Sequence, residues 1–138
     1  MLDEETPSVL AAVRLDKARE CLQAAEKNLL MDLFQTSVNR SYYCIFHAMR
    51  AVLALERFDS KKHSGVISQF RKNYIKPGIF PTELSYIITN AFKDRNDCDY
   101  MDFYAVSKDD ASSQFESAKV FLGAVDAYIT PKLHNPLH

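Results

Sequence analysis

Apolar residues along this chain recur at steps of three and four over long stretches, which is the period of an amphipathic helix. Leu15, Ala18, Leu22, Ala25 and Leu29 predict a long first helix after Thr6-Pro7-Ser8, where a proline suits the first turn. Val38, Tyr42, Ile45, Met49 and Val52 predict a second long helix, ending near Glu56 or Arg57. Ala111, Phe115, Ala118, Leu122, Val125 and Ile129 predict a third, capped by Ser107 and stopped by Pro131. Two shorter helices fit between, over about Lys62–Tyr74 and about Thr82–Arg95, with Pro77-Gly78 and Pro81 separating them. Residues 99–106 read as a loop, and the tail from 131 to 138 as loose. The pattern predicts a single all-α domain over residues 1–138, with its core between about 9 and 130. Four to five helices pack as a compact up-and-down bundle.

Composition narrows this only slightly. With three glycines in 138 residues, the many tight turns of an all-β fold are not expected. A net charge of −1 supplies no global field toward nucleic acid or membrane, so any nucleic-acid contact needs a local patch. The acidic N-terminus is unlike a signal peptide, and no apolar run approaches the roughly 18 residues of a membrane span. Cys21, Cys44 and Cys98 show no paired spacing, and the first two fall within apolar helical patterns. Buried free thiols are the expectation, and with them a reducing, cytoplasmic setting and no membrane.

Candidate chemistry concentrates where Lys93-Asp94-Arg95-Asn96-Asp97-Cys98-Asp99-Tyr100 closes the fourth apolar pattern. Arg95 falls four residues after Ala91, so a helix would carry it onto the buried face. Asp94, Asp97 and Asp99 sit near a helix end whose dipole favours cations. Arg95 and Asp99 are spaced for a surface ion pair, but a partly buried arginine would need several donors satisfied. Asp99, the loop backbone and the hydroxyls of Tyr42 and Tyr43 are the candidate acceptors. An arginine so held beside Asn96 is shaped to grip a phosphodiester.

Tyr43 and His47, four apart, share a helix face, where packed core aromatics are the ordinary outcome. Lys61-Lys62-His63 opens a helix, and its free N–H groups suit either a phosphate or plain solvation. No Glu-x-x-His pair, His-Glu-x-x-His, Cys-x-x-Cys or glycine-rich phosphate loop occurs, so neither metal nor cofactor is expected.

The run Asn39-Arg40-Ser41-Tyr42-Tyr43-Cys44-Ile45-Phe46-His47-Ala48 resembles the HEPN family (higher eukaryotes and prokaryotes nucleotide-binding domain). So do Lys62-His63-Ser64-Gly65-Val66-Ile67 and Arg95 followed by Asp99-Tyr100. The resemblance spans about Val13 to Tyr128 and implies a compact bundle of four or five helices. Many members are metal-independent ribonucleases in which an Arg is followed, after four to six residues, by a His, two such sites meeting across a dimer. Many are encoded beside a minimal nucleotidyltransferase in a pair like a toxin and antitoxin. Arg95 matches the motif's Arg and Asn96 the polar residue after it. Tyr100, Met101 and Asp102 stand where the His would fall, so the chain carries the Arg…Asp-Tyr form of one branch.

Three functional readings follow. One is a homodimeric nucleotide- or RNA-binding module acting with a nucleotidyltransferase partner. In it Arg95 and Asn96 contact phosphate, Asp99 orients Arg95, Tyr100 stacks or hydrogen-bonds nearby, and Tyr42, Tyr43, His47 and His63 complete the site. The second is a toxin-like endoribonuclease in which Arg95 is catalytic and a base other than the motif His works beside it. His47 or His63 can serve if the fold brings one near Arg95, since an imidazole titrates near neutrality when unperturbed. The third makes Arg95–Asp99 a structural or dimerisation tie.

Overall fold

Thr6 opens the first helix, its hydroxyl accepting the Val9 N–H at 3.3 Å, and Pro7 takes the first turn. In this computed structural model, which describes residues 6–101 and 105–133, five α-helices follow one another. They are α1 (Pro7–Leu30), α2 (Phe34–Ala54), α3 (His63–Phe70), α4 (Glu83–Tyr100) and α5 (Lys108–Leu133). Among the described residues there is no strand.

α2 is the central element and packs against α1, α3, α4 and α5. Its apolar faces bury Tyr42, Ile45, Met49, Val52 and Leu53 almost completely. Ala11, Ala18 and Ala25 on α1 are fully buried at seven-residue spacing, and Ala111 and Ala118 repeat this on α5. Small side chains on these seams let the helix axes approach closely. Leu22 and Leu29, expected within the seam, are half-buried at its edge, while Cys21 is buried beside it. Cys44 and Cys98 are buried as well, and all three thiols are free.

Two helix ends differ from expectation. The fourth helix does not stop near Arg95 but continues to Tyr100, so Asp99 and Tyr100 are helical rather than part of a loop. Two i, i+4 ion pairs hold this added turn, Lys93 Nζ to Asp97 Oδ2 at 3.1 Å and Arg95 Nε to Asp99 Oδ2 at 3.0 Å. They offset the unfavourable dipole at an acidic C-terminus. The last helix passes through Pro131 to Leu133. Only one backbone hydrogen bond is lost there, and Lys132 Nζ lies 4.4 Å from the ring centroid of Tyr128, tying the final turn. Residues 134–138 of the expected loose tail lie outside the described residues.

α3 runs on into a π-helical segment, Arg71–Ile75, closed by the Lys76 N–H donating to the Arg71 carbonyl at 2.8 Å. The stretch between α2 and α3 is pinned by ions. Arg14, buried on α1, donates to the Arg50 carbonyl at 3.2 Å and to Asp59 at 3.0 Å. Asp59 also accepts from Arg50 and from the Ser60 N–H. Gly65 completes the corner, since a Cβ there would collide with the Ser60 hydroxyl. This corner fixes where α3 begins, and so where His63 stands.

Candidate functional site

Arg95 leaves the buried stripe of α4 and lays its guanidinium against α2. Its carbon centre is 5.3 Å from the Tyr42 ring centroid and 5.7 Å from that of Tyr43. Nη2 donates to the Tyr43 hydroxyl at 3.2 Å. Nε is buried and lies 3.0 Å from Asp99 Oδ2, a charge contact without hydrogen-bond alignment. The side chain is 19% exposed. The two rings, one hydroxyl and one carboxylate therefore hold it in a single pose with an edge open to solvent.

Tyr43 stands between two arginines. Arg40 places its guanidinium carbon 5.1 Å from the Tyr43 ring centroid and is itself oriented by Asn39 Oδ1. Tyr42 is 2% exposed, and burial pushes its hydroxyl up to about 12 although the Arg95 charge pulls the other way. It keeps its proton at neutral pH.

His63 joins the same cluster from α3. Its Nδ1 is 2.6 Å from the Tyr42 hydroxyl, and its ring stacks on Phe46 with centroids 4.0 Å apart. Burial lowers the imidazole pKa below its ordinary value, and the charges of Arg95 and Arg50 lower it further. His63 is thus neutral at pH 7 and linked to Arg95 through the Tyr42 ring and hydroxyl. Nothing in the spacing of Arg95 and His63 along the chain announces this. The ion cluster of Arg14, Arg50 and Asp59 sets where α3 begins and so brings in His63, which the sequence offers as a site residue without a contact to Arg95.

His47 is placed differently. It contacts the rings of Tyr43 and Phe46, tilted rather than stacked. Its Nδ1 is buried without a hydrogen-bond partner. Burial, then the charges of Arg50, Lys17, Arg40 and Arg14, pull its pKa down to about 4. Asn96, next to Arg95 on α4, is half-buried and makes none of the cluster's hydrogen bonds. Tyr100 is 77% exposed and five residues beyond Arg95, which turns it off the Arg95 face. Asp102 lies outside the described residues. Asp94 faces away from Arg95 and accepts from Gln114 of α5 at 2.6 Å, and burial pushes its carboxyl up. Among the described residues no group of three or more His, Cys, Asp or Glu is placed to hold a metal ion, and no helix is long and apolar enough to cross a membrane.

The fold is an all-α bundle of five helices, in which Arg95 of α4 lies against the Tyr42–Tyr43 pair of the central helix. The chain belongs to the HEPN domain family, whose model matches residues 11–128. It is 30% identical over 118 residues to "Putative toxin MJ0142" of Methanocaldococcus jannaschii, covering 86% of this chain and 80% of that one. It is also 30% identical over 113 residues to a UPF0332 protein of Thermotoga maritima, covering 82% and 86%. "Putative toxin MJ0605" of Methanocaldococcus jannaschii is 34% identical over 86 residues, covering 62% and 64%.

Proposed function

We propose that this chain is a toxin-like HEPN module that binds single-stranded RNA through phosphate contacts at Arg95. It works as a homodimer beside a minimal nucleotidyltransferase partner. The observation that carries the reading is the restraint of Arg95. A surface arginine gives up rotamer freedom on gripping a ligand, but this one is already fixed by Tyr42, Tyr43 and Asp99. Its open edge can donate to phosphate in the fork geometry that suits arginine. The tyrosine rings that seat it give the phosphate a dry, positively charged neighbourhood, which Arg40 extends. The names of the two Methanocaldococcus relatives support the toxin-like role, and the family resemblance supports the nucleotidyltransferase and the dimer. Gel-shift of labelled single-stranded RNA tests the reading. Arg95→Ala is expected to weaken the shift strongly while leaving the helical circular dichroism intact, and an unchanged shift would refute it.

A second reading has its own observation, the neutral His63 inside the Arg95 cluster. With Nδ1–H donating to the Tyr42 hydroxyl, Nε2 presents a lone pair. It would take the proton of an RNA 2′-OH as that oxygen bonds to phosphorus. The 5′-oxygen bond breaks, water supplies its proton, and a 2′,3′-cyclic phosphate remains. Arg95 stabilises the charge on the phosphorane oxygens. Cleavage in EDTA that disappears in both Arg95→Ala and His63→Gln supports this metal-free ribonuclease. Cleavage that survives either substitution, or none by the unaltered protein, rejects it.

A further inference from the structure

A groove of about 760 Å³ lies between α4 and the α3–π-helical segment, outside the Arg95 cluster but joined to it. Phe92 lines the groove and also meets the Tyr42 ring edge-on, with centroids 6.1 Å apart. Ser64, next to His63, lines the same end. Along α4, Ile88, Phe92 and Arg95 fall at i, i+4 and i+7, so floor and site share one stripe about 10 Å long.

The groove is cationic. Lys72 and Lys76 are exposed on its wall, and neither has a carboxylate at ion-pairing distance among the described residues. Arg71 is held by neutral groups, donating to the Ser85 hydroxyl and carbonyl and to Thr89 Oγ1. Its charge is uncompensated while its position is fixed. Lys93 also lines the groove, but its charge is balanced by Asp97. The π-helical segment brings Lys72 and Lys76 to the same wall as Arg71, a use of local irregularity that recurs at functional sites.

The cations decide between occupants. Ile67 is 9% and Ile88 2% exposed, so they form the floor of the bundle rather than a raised apolar ridge. Arg71, Lys72 and Lys76, without carboxylate partners among the described residues, select an anionic occupant by charge. A second copy docking symmetrically would set this cationic wall against itself. A polyanion gains from every cation, and Phe92 offers a ring for one base.

We propose that this groove is a single-stranded RNA track leading into the Arg95 site, with Arg71, Lys72 and Lys76 contacting phosphates of the flanking nucleotides. The inference rests on the RNA reading above and names the extent and polarity of the surface. It makes affinity depend on strand length, because a very short RNA fills the Arg95 site alone and a longer one also occupies the groove.

Fluorescence anisotropy with labelled oligouridylates of three and twelve nucleotides tests it, using the full chain, Arg95→Ala and the double variant Lys72→Glu/Lys76→Glu. Both lysines are exposed, so the double variant keeps the fold, which circular dichroism and melting verify. The expected result is a loss of at least about tenfold for the twelve-mer in the double variant, with the three-mer unchanged. Its salt dependence should also flatten by roughly 1.4 in log–log slope, two phosphate contacts on a single strand. Arg95→Ala should weaken both lengths. Equal twelve-mer affinity in the double variant and the unaltered protein overturns the track while leaving the Arg95 reading standing. The same result together with loss of a co-purifying protein in the double variant assigns the groove to a protein partner and also overturns the track. Failure of the unaltered protein to bind either length overturns the underlying RNA reading itself.

Discussion

The hydroxyl of Tyr42 on α2 and Nδ1 of His63 on α3 meet at 2.6 Å across 21 residues of sequence. That contact joins the helix bearing the tyrosine pair to the helix whose start carries the imidazole. The Arg95 guanidinium carbon lies 5.3 Å from the centroid of the same tyrosine ring. Replacing Tyr42 with Phe keeps the ring packing but leaves His63 Nδ1 without its partner. The expected cost is about 0.5–1.5 kcal/mol, read by urea denaturation, because one net hydrogen bond is lost from a part-buried site. RNA affinity at Arg95 should change little, since the ring that seats the guanidinium remains. A large loss of affinity in Tyr42→Phe would show that the hydroxyl, rather than the ring, serves the ligand.

Arg95→Lys separates charge from shape. A lysine keeps the positive charge but has no planar fork, cannot reach Tyr43 and Asp99 together, and stacks poorly on Tyr42. Its RNA affinity is expected to fall between those of the unaltered protein and Arg95→Ala. A titration in which Lys serves as well as Arg would make the site a simple electrostatic patch.

His47 sets a pH dependence of stability. Its folded pKa of about 4 lies below the ordinary imidazole value, because burial and four nearby cations disfavour the charged form. Between these two values the unfolded chain binds more protons than the folded one. Stability from this group is therefore complete above about pH 6.5 and is lost as pH falls toward 4. Discounted for solvent screening, the loss is on the order of 1–3 kcal/mol. Urea midpoints of the unaltered protein and of His47→Gln, measured between pH 4 and 7, should converge as pH falls or cross over. Parallel curves would remove His47 from the explanation.

Gly65 provides a packing test. Alanine at this position meets the Ser60 hydroxyl and should destabilise the protein by about 1–3 kcal/mol. Removing the obstacle in Ser60→Gly/Gly65→Ala should recover much of the loss, and a thermal melt of the four proteins of this double-mutant cycle reads the coupling. Additive melting shifts would mean that the collision does not limit the corner.

The bundle itself was readable because its three long helices repeat apolar positions over many turns, and no other periodic structure fits Leu15 to Leu29 or Ala111 to Ile129. The end of α4 was not. A run of Asp94, Asp97 and Asp99 opposes the helix dipole, and only the i, i+4 partners Lys93 and Arg95 turn the balance. Pro131 misled for a similar reason, since a proline near a helix end costs one hydrogen bond rather than the helix. Within the site, the burial of Arg95 follows from helical geometry, while its contact with Tyr43, one of several candidate partners, comes from the packing of α4 on α2. The approach of His63 does not, because it depends on Arg14, Arg50 and Asp59 closing a corner from three separate segments. Tyr100 shows the opposite error. Counting it with Arg95 treated residues 99 and 100 as loop, and once they are helical a five-residue step points it elsewhere.

The most direct test of the RNA site watches the Arg95 side chain itself. Arginine Nε–H signals are recorded by ¹H–¹⁵N correlation while a short oligouridylate is added, and the Arg95 signal is identified by its absence in Arg95→Lys. The expected result is a progressive shift of that signal which saturates with the RNA, accompanied by smaller changes at Tyr42, Tyr43 and His63. An Arg95 signal that stays in place while resonances elsewhere in the protein saturate would contradict phosphate binding at this site.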